Sequence, residues 1–158
     1  MIKDARDGVS PDTSKKTRTR RGTRGKTGAS NLYAAIDLGT NNCRLLIVEA
    51  TRNSFRVRDS FSRIVRLGEG LDKDGILSEG AMSRTLSALS ICASKIRKAG
   101  VARVRCVATE ACRNAENGEN FVKRVGKETG LRLEIIDGTA EAELATVGCG
   151  SLFENHAD

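Results

Sequence analysis

Residue types that bind anions or metal ions are concentrated in one short bend of the sequence. The stretch 34–48, AAIDLGTNNCRLLIV, consists of two apolar runs separated by that bend. A tight turn that contains Gly39 lets successive backbone N–H groups converge on an anion, and Thr40 and Asn41 add side-chain donors without bulk. Asp37 would repel a bare phosphate unless a divalent cation such as Mg²⁺ bridged the two. The alternative is a plain structural turn that Asp37 starts and Gly39 permits.

The bend therefore provides a set of candidate phosphate-binding residues. Arg44 belongs to this set because its guanidinium can form two parallel hydrogen bonds to a phosphate. The full set is Gly39, Thr40, Asn41, Asn42 and Arg44, with Asp37 as the candidate metal ligand.

The net charge of +7 is unevenly distributed along the 158 residues. Residues 1–30 contribute +6 through nine Lys and Arg against three Asp, and the remaining 128 residues contribute +1. The excess lies in residues 15–26, KKTRTRRGTRGK, which are almost free of apolar side chains, so we expect residues 1–30 to form a disordered basic tail. Such a tail would hold a polyanion, RNA or polyphosphate, by neutralising phosphates, or would be solvated without a specific partner.

Composition and spacing argue against a membrane-spanning segment, a secretory signal and a bound zinc or calcium ion. No apolar run approaches the ~18 residues of a membrane span, and none follows the basic N-terminus. The five cysteines form no C-x-x-C pair and the single histidine is His156, so we expect buried free thiols in a cytoplasmic protein. In residues 67–78, counted from Asp72, Gly75 falls fourth, whereas a calcium loop of the EF-hand type needs glycine sixth. The cysteines are Cys43, Cys92, Cys106, Cys112 and Cys149.

Hydrophobic patterns predict three strands in the first half of the folded region. Tyr33–Ile36 and Arg44–Ala50 are apolar runs of strand length. Ser54–Leu67 alternates in polarity, as expected for a half-exposed outer strand. The alternation assigns one face to Phe55, Val57, Asp59 and Phe61.

The second half is predicted to alternate between helices and strands. Apolar residues from Met82 to Ile96 recur at helical spacing, after Ser78 as a plausible N-cap and before Gly100 as a C-cap. The later elements are a strand at Val104–Ala108, a short helix at Glu110–Ala115, a helix ending at Gly130, a strand at Leu133–Ile136 and a helix at Thr139–Leu152 that packs through small residues. The order β-β-β-α-β-α-β-α is that of the ribonuclease-H-like sheet.

Four sequence blocks, in this order, resemble the exopolyphosphatase/guanosine pentaphosphate phosphatase (Ppx/GppA) family. They are DLGTNNCRLLI (37–47), LGEGLDKDGILSEGAM (67–82), ATEACRNAEN (108–117) and EIIDGTAEAEL (134–144). That family belongs to the superfamily of actin, hexokinase and the heat-shock chaperones. The resemblance implies an α/β fold, a ribonuclease-H-like (actin-like ATPase) domain with a mixed five-stranded sheet, in which residues 31–158 are the N-terminal lobe.

The resemblance also assigns roles to individual residues. It implies that Asp37–Asn42 is the first phosphate-binding loop, that Arg113 binds phosphate and that Glu141 is the catalytic carboxylate. The implied activity is Mg²⁺-dependent hydrolysis of terminal phosphoanhydride bonds in polyphosphate or guanosine pentaphosphate, by a protein that is a homodimer in its full-length form. Without the resemblance, Glu141 is a favourable acid in the first turn of a helix and Arg113 a solvated helix residue.

The sequence departs from the family pattern in two residues and in extent. Ala140 stands where the family has an acid, and Glu143 where it has an arginine. The family's second phosphate loop, D-x-G-G-G-S-x-E, and its second lobe do not occur before Asp158. Because one lobe supplies half of the phosphate site, we expect little phosphatase activity from this chain alone.

Two other functions remain open from the residues. The bend also occurs in nucleotide-binding lobes of sugar-kinase-like and actin-like proteins, although the blocks at 67–82 and 108–117 argue against these. The chain would otherwise be an inert fragment whose basic arm holds a polyanion.

Overall fold

The computed structural model describes residues 31–52 and 54–153, which form one mixed sheet whose core helices pack on one face. Within these residues there are five strands, in the spatial order β3-β2-β1-β4-β5. They are β1 (Leu32–Leu38), β2 (Asn42–Ala50), β3 (Phe55–Ile64), β4 (Arg103–Ala108) and β5 (Leu133–Ile135). β1, β2 and β3 form an antiparallel meander, and β4 and β5 extend it in parallel from β1. The predicted ribonuclease-H-like topology is confirmed.

Five helices connect or follow the strands in this part of the chain. They are α1 (Leu71–Asp74), α2 (Glu79–Ala99), α3 (Glu110–Asn114), α4 (Gly118–Thr129) and α5 (Gly138–Phe153). The predicted caps of α2 are confirmed, because the Ser78 hydroxyl accepts a hydrogen bond from the amide of Ala81 and Gly100 is left-handed at φ 65°. The short helix α1 was not predicted. It lies between two left-handed glycines and has no buried residue, so it leaves no periodic signal.

The core lies between the sheet and helices α2 and α4. Alternate residues of β1 and β2 point into it, and α2 contributes a stripe of small and aliphatic side chains. The most completely buried large side chains include Ile36, Leu38, Ile47, Leu89 and Phe121. The opposite face of the sheet, with Tyr33 and Leu46, is partly exposed.

The prediction of one continuous alternation in β3 is wrong. The register between β2 and β3 shifts, so that Ile47 pairs with Asp59 but Val48 pairs with Val57. The residue between them, Arg58, is an extra residue of the bulge type, and an extra residue reverses which face the following side chains occupy. Val57 therefore lies on the face of the sheet opposite the core, which we call the open face. Asp59 lies on the helix side, where its Oδ2 atom accepts a hydrogen bond from Lys95 Nζ at 2.7 Å.

The predicted packing face of the last helix is not buried against the described residues. In α5, every side chain from Glu141 to Gly148 is exposed, including Leu144 and Val147. The helix begins as predicted, because the Asp137 carboxylate accepts the Ala140 amide at 2.8 Å. Local capping thus fixes where α5 starts, and packing of its described side chains does not.

Four cysteines are buried free thiols, as predicted. A hydrogen bond to Cys92 and burial raise the pKa of Cys43. Burial raises the pKa of Cys106 to about 11 and that of Cys112 to about 12. Cys43, Cys106 and Cys112 are therefore neutral core residues at physiological pH. Cys149 and His156 lie outside the described side chains, as does the predicted basic tail.

The described helices do not include one that is long and apolar enough to cross a membrane.

Asn117 ties the segment before α2 to the start of α4. Its side chain accepts a hydrogen bond from the amide of Leu77 at 2.8 Å and donates one to the carbonyl of Leu77 at 3.0 Å. We predict that Asn117→Ala lowers the free energy of unfolding by about 1–3 kcal/mol, because two part-buried backbone groups lose their partner. Urea titration followed by circular dichroism measures this change.

The matched control is Asn120→Ala, which changes an exposed residue of the same helix and should alter the free energy of unfolding by less than about 0.5 kcal/mol. Equal stability of the two variants would contradict a tying role for Asn117.

Candidate functional site

Three of the sequence blocks meet at one edge of the sheet. β1, β4 and β5 are parallel, and Leu38 pairs with Ala108, which in turn pairs with Ile135. The chain crosses this edge at residues 39–41, at 109–113 and at 136–141. Ligands of open α/β sheets bind outside the carboxyl ends of the strands. The edge is therefore the candidate functional site.

The bend between β1 and β2, residues 39–41, is held by amides of the segment after β3. The carbonyl of Asn41 accepts hydrogen bonds from Val65 at 2.8 Å and Arg66 at 3.0 Å, and the carbonyl of Thr40 accepts one from Gly68 at 3.0 Å. In a planar trans peptide the N–H points away from the preceding carbonyl. Because the Thr40 carbonyl points at residue 68, the Asn41 N–H points the opposite way, out of the bend.

This arrangement leaves two amides of the bend available. The N–H groups of Thr40 and Asn41 donate no hydrogen bond to any group in residues 31–52 or 54–153. The side chains of Thr40, Asn41 and Asn42 are also without hydrogen-bond partners in that part of the chain. The amide of Gly39 differs, because it donates to the carbonyl of Asn42 at 3.0 Å and so closes the turn. The donors available to an anion are thus the amides of residues 40 and 41 and the side chains of residues 40–42.

Neither the backbone conformation nor the packing at position 39 requires a glycine. Its backbone is not left-handed, and a Cβ atom there would meet no atom of another residue closer than the Asn42 carbonyl at 3.8 Å. Gly68 is the opposite case, because a Cβ atom there would overlap the methyl group of Thr40. The small size of Gly68 thus permits the close contact between the two segments, whereas the small size of Gly39 leaves open space at the bend.

Asp37 and Arg44 lie opposite each other on the open face of the sheet. Asp37 pairs with Arg44 in the β1–β2 register, and Asp37 Oδ2 lies 3.8 Å from Arg44 Nη1. The two side chains are 50% and 62% exposed, so the ion pair is loose and well solvated. Each side chain therefore has donors or lone pairs left for a ligand.

Arg113 already has one structural partner. It is on α3, and its Nη1 atom donates to the carbonyl of Ile136 at the end of β5 at 2.7 Å. The guanidinium has five N–H donors, so this bond leaves others free. The bond holds the side chain at the candidate edge, where the sequence resemblance places it.

Helix α5 places Glu141 on the same side of the sheet as Asp37. Leu144, one turn after Glu141, lines a cavity of about 550 Å³ together with Asp37, Arg44 and Arg105. Residues three apart share a helix face, so Glu141 lies on the cavity face, nearer the carboxyl ends of the strands. Glu143 is two residues from Glu141 and faces elsewhere. The departure at Ala140 is offset, because Asp137 supplies the negative charge at the helix start.

Sequence reasoning missed the support of the bend. Arg84 of α2 donates to the carbonyl of Val65 at 3.1 Å and forms an ion pair with Glu69 at 2.6 Å. These contacts hold the segment 65–69, which holds the bend. The only local sign in the sequence is the glycine-rich LGEG stretch, which permits many conformations.

The family comparison agrees with this geometry. The model of the Ppx/GppA phosphatase family matches residues 46–157. The chain belongs to this family. The matched region contains the blocks around Arg113 and Glu141, and the bend at 39–41 lies just before it.

Individual relatives match the chain over a fraction of their own length. The guanosine-5'-triphosphate,3'-diphosphate pyrophosphatase of Vibrio vulnificus is 36% identical over 115 residues, which are 73% of this chain and 23% of the relative. The protein of the same description from Photobacterium profundum is 36% identical over 119 residues, or 75% of this chain and 24% of the relative. The chain thus spans about a quarter of the length of these curated relatives.

Solved structures of the Ppx/GppA family have the same fold. The Aquifex aeolicus family member superposes with a TM-score of 0.72 and 33% identity, covering 75% of this chain and 39% of that one. An exopolyphosphatase from Cytophaga hutchinsonii superposes with a TM-score of 0.69 and 32% identity, covering 72% and 36%. The predicted actin-like fold is therefore confirmed.

The two glycines near the bend should respond differently to alanine. We predict that Gly68→Ala lowers the free energy of unfolding by about 1–3 kcal/mol, because the new methyl group overlaps Thr40. Gly39→Ala should change it by less than about 0.5 kcal/mol, because the space at Gly39 is open. Thermal and urea unfolding of both variants test this, and equal losses would contradict the assignment of Gly68 as the contact glycine.

Proposed function

We propose that this chain is the N-terminal lobe of a phosphatase that hydrolyses the terminal phosphoanhydride bond of polyphosphate or guanosine pentaphosphate. The observation that carries the proposal is the bend at residues 39–41, in which the carbonyls of residues 40 and 41 are held by residues 65–68 and the amides of residues 40 and 41 are free. Two free amides beside unpaired hydroxyl and amide side chains suit a phosphoryl group. Of the relatives described above, two are named guanosine-5'-triphosphate,3'-diphosphate pyrophosphatases and one an exopolyphosphatase, which supports this substrate class.

In the proposed reaction the terminal phosphoryl group lies against the bend. A water molecule attacks its phosphorus atom, and Glu141 orients that water and accepts its proton. The bond from phosphorus to the bridging oxygen breaks, and the shortened chain leaves with the electron pair. Thr40 and Asn41 donate hydrogen bonds to the equatorial oxygens, and Arg44 and Arg113 neutralise the charge on the chain.

Asp37 is the residue of this lobe that would hold Mg²⁺. Its carboxylate is half exposed and only loosely paired with Arg44, so it retains lone pairs for a cation. The described residues contain no cluster of three side chains able to ligate a metal. Mg²⁺ in phosphate sites is commonly held by one or two carboxylates together with substrate phosphates, and the donor at Asp37 fits that arrangement. When bound, the ion would neutralise phosphate charge.

The lobe alone presents these groups to solvent. Asp37, Arg44, Arg113 and Glu141 all have exposed side chains or lie at the exposed edge. Electrostatic stabilisation of a phosphoryl transition state depends on excluding water. We therefore propose that the isolated chain binds phosphate chains but turns them over slowly, and that a second lobe is needed for full activity.

The remaining parts of the proposal concern the cellular compartment, the oligomeric state and the basic segment. Buried free thiols suit the reducing cytoplasm. We also propose that the full-length form is a homodimer and that residues 15–26 add a polyanion contact.

The function is tested by transplanting this lobe into a family member of known structure. Residues 31–153 replace the matched part of the Aquifex aeolicus protein, and phosphate release from polyphosphate and from guanosine pentaphosphate is measured with Mg²⁺. Glu141→Gln should lower kcat about 10²–10⁴-fold, the usual contribution of a general base, with little change in substrate affinity.

The control is Glu143→Gln, which removes the same charge from the other side of the helix and should change kcat less than about threefold. A chimera that unfolds cooperatively but releases no phosphate from either substrate would contradict the proposed function. A Glu141→Gln chimera as active as its parent would contradict the role of Glu141.

A further inference from the structure

The strand β4 ends in the middle of the candidate site. The sheet order places β4 between β1 and β5. The bend at residues 39–41 follows β1, and the segment that carries Glu141 follows β5. Neighbouring strands lie about 4.8 Å apart, so the ends of β1 and β5 are separated by about 10 Å. A phosphoryl group and its attacking water, hydrogen-bonded at both ends, span a similar length, so the phosphorus atom would lie over the end of β4.

Thr109 is the first residue after β4 and is held from both sides. Its amide donates to the carbonyl of Leu38, the last residue of β1, at 3.1 Å. The carbonyl of the preceding residue, Ala108, accepts from the amide of Ile136 at 3.0 Å. These bonds fix the backbone of Thr109 between the bend and the start of α5.

The hydroxyl of Thr109 lacks a partner, although the residue is only 5% exposed. The hydroxyls of the two other buried threonines, Thr85 and Thr129, each donate to a backbone carbonyl at 2.8 Å. No such bond joins the Thr109 hydroxyl to any group in residues 31–52 or 54–153. Within those residues, every side-chain nitrogen or oxygen that is shut off from solvent does have a partner. The hydroxyl is therefore the part of Thr109 that solvent reaches.

A threonine with an unused hydroxyl has no structural advantage over a valine at this position. Burying a hydroxyl without a hydrogen bond costs free energy, whereas the methyl group of valine fills the same volume without that cost. The open hydroxyl at the end of β4 lies in the same site as the free amides of residues 40 and 41 and the guanidinium of Arg113. Its environment thus suits a ligand that accepts hydrogen bonds.

We propose that the Thr109 hydroxyl donates a hydrogen bond to an oxygen of the transferred phosphoryl group. This proposal rests on the proposed function and adds a third donor to the two free amides of the bend. The transferred group carries its negative charge on three equatorial oxygens in the transition state. The amides of the bend contact that group from the side of β1, and Thr109 contacts it from the end of β4.

The informative variant is Thr109→Val in the chimera described above. It should lower kcat about 10²-fold, the usual loss for one donor to a transition-state oxygen. The loss should be the same for polyphosphate and guanosine pentaphosphate, because both end in the phosphoryl group that Thr109 contacts. The melting temperature should not change, because the substitution breaks no hydrogen bond within the protein. Thr109→Ser, which keeps the hydroxyl, should restore most of the activity.

The matched control is Thr129→Val, which removes the hydroxyl of a buried threonine far from the site. It breaks the bond to the carbonyl of Val125, so it should lower the melting temperature. Its kcat should equal that of the parent chimera at a temperature at which both are folded. The two valine variants thus separate a hydroxyl that serves the fold from one that serves the substrate.

A second measurement does not depend on turnover. Ligands that bind only the folded state raise the melting temperature, and orthophosphate with Mg²⁺ is added to the 158-residue chain at fixed ionic strength. In Thr109→Val the rise should shrink by an amount that corresponds to about fivefold weaker binding, the loss of one hydrogen bond. Residues 15–26 are present in every variant and so contribute equally.

The outcomes are distinguishable. If Thr109→Val lowers the melting temperature as Thr129→Val does, the hydroxyl serves the fold and the proposal is overturned. If Thr109→Val keeps the kcat and the orthophosphate protection of its parent, Thr109 is overturned as a donor and the proposed function stands. If the parent chimera is inactive and orthophosphate does not protect the parent chain, the proposed function is overturned and Thr109 with it.

Discussion

The candidate site depends on the hydrogen bonds by which residues 65–68 hold the carbonyls of Thr40 and Asn41. A bend of small polar residues has many conformations of similar energy, and most would turn its amides toward its own carbonyls. Because the Thr40 carbonyl accepts a hydrogen bond from Gly68, peptide planarity fixes the direction of the Asn41 amide. This donor is then oriented before any ligand arrives, which is the condition for strong electrostatic stabilisation.

That support is itself anchored in the core. Val65 and Leu67 are buried, and Arg84 links the carbonyl of Val65 to the long helix α2. Contacts from the core thus lead to the segment 65–69 and from there to the bend. The rigid part of the lobe orients the donors, whereas the loose ion pair of Asp37 and Arg44 leaves charged groups able to adapt to a ligand.

Much of this lobe is predictable from sequence because its signals are local. Strands, helix caps and strand order follow from hydrophobic period and from the rule that parallel strands need crossover connections. The bulge at Arg58 escaped prediction because alternation in β3 is weak, with polar residues on both faces. The contact of residues 65–68 with the bend also escaped it, because backbone hydrogen bonds between distant segments leave no side-chain pattern. The sequence could thus locate the bend but could not show which of its amides are free.

In helix α5 a local hydrogen bond fixes the start of the helix, but packing does not cover its apolar side chains. Its start is fixed by Asp137, and its apolar side chains Leu144 and Val147 remain exposed. The open face of the sheet beside it contains β1, β4 and β5, and sheets of parallel strands normally have both faces covered. The described part of the chain therefore has a core on the helix side of the sheet and an incomplete layer on the side of Glu141. On the proposed function, Glu141 would gain a dry environment only once further structure covers this face, so covering the face and completing the proposed site would be the same event.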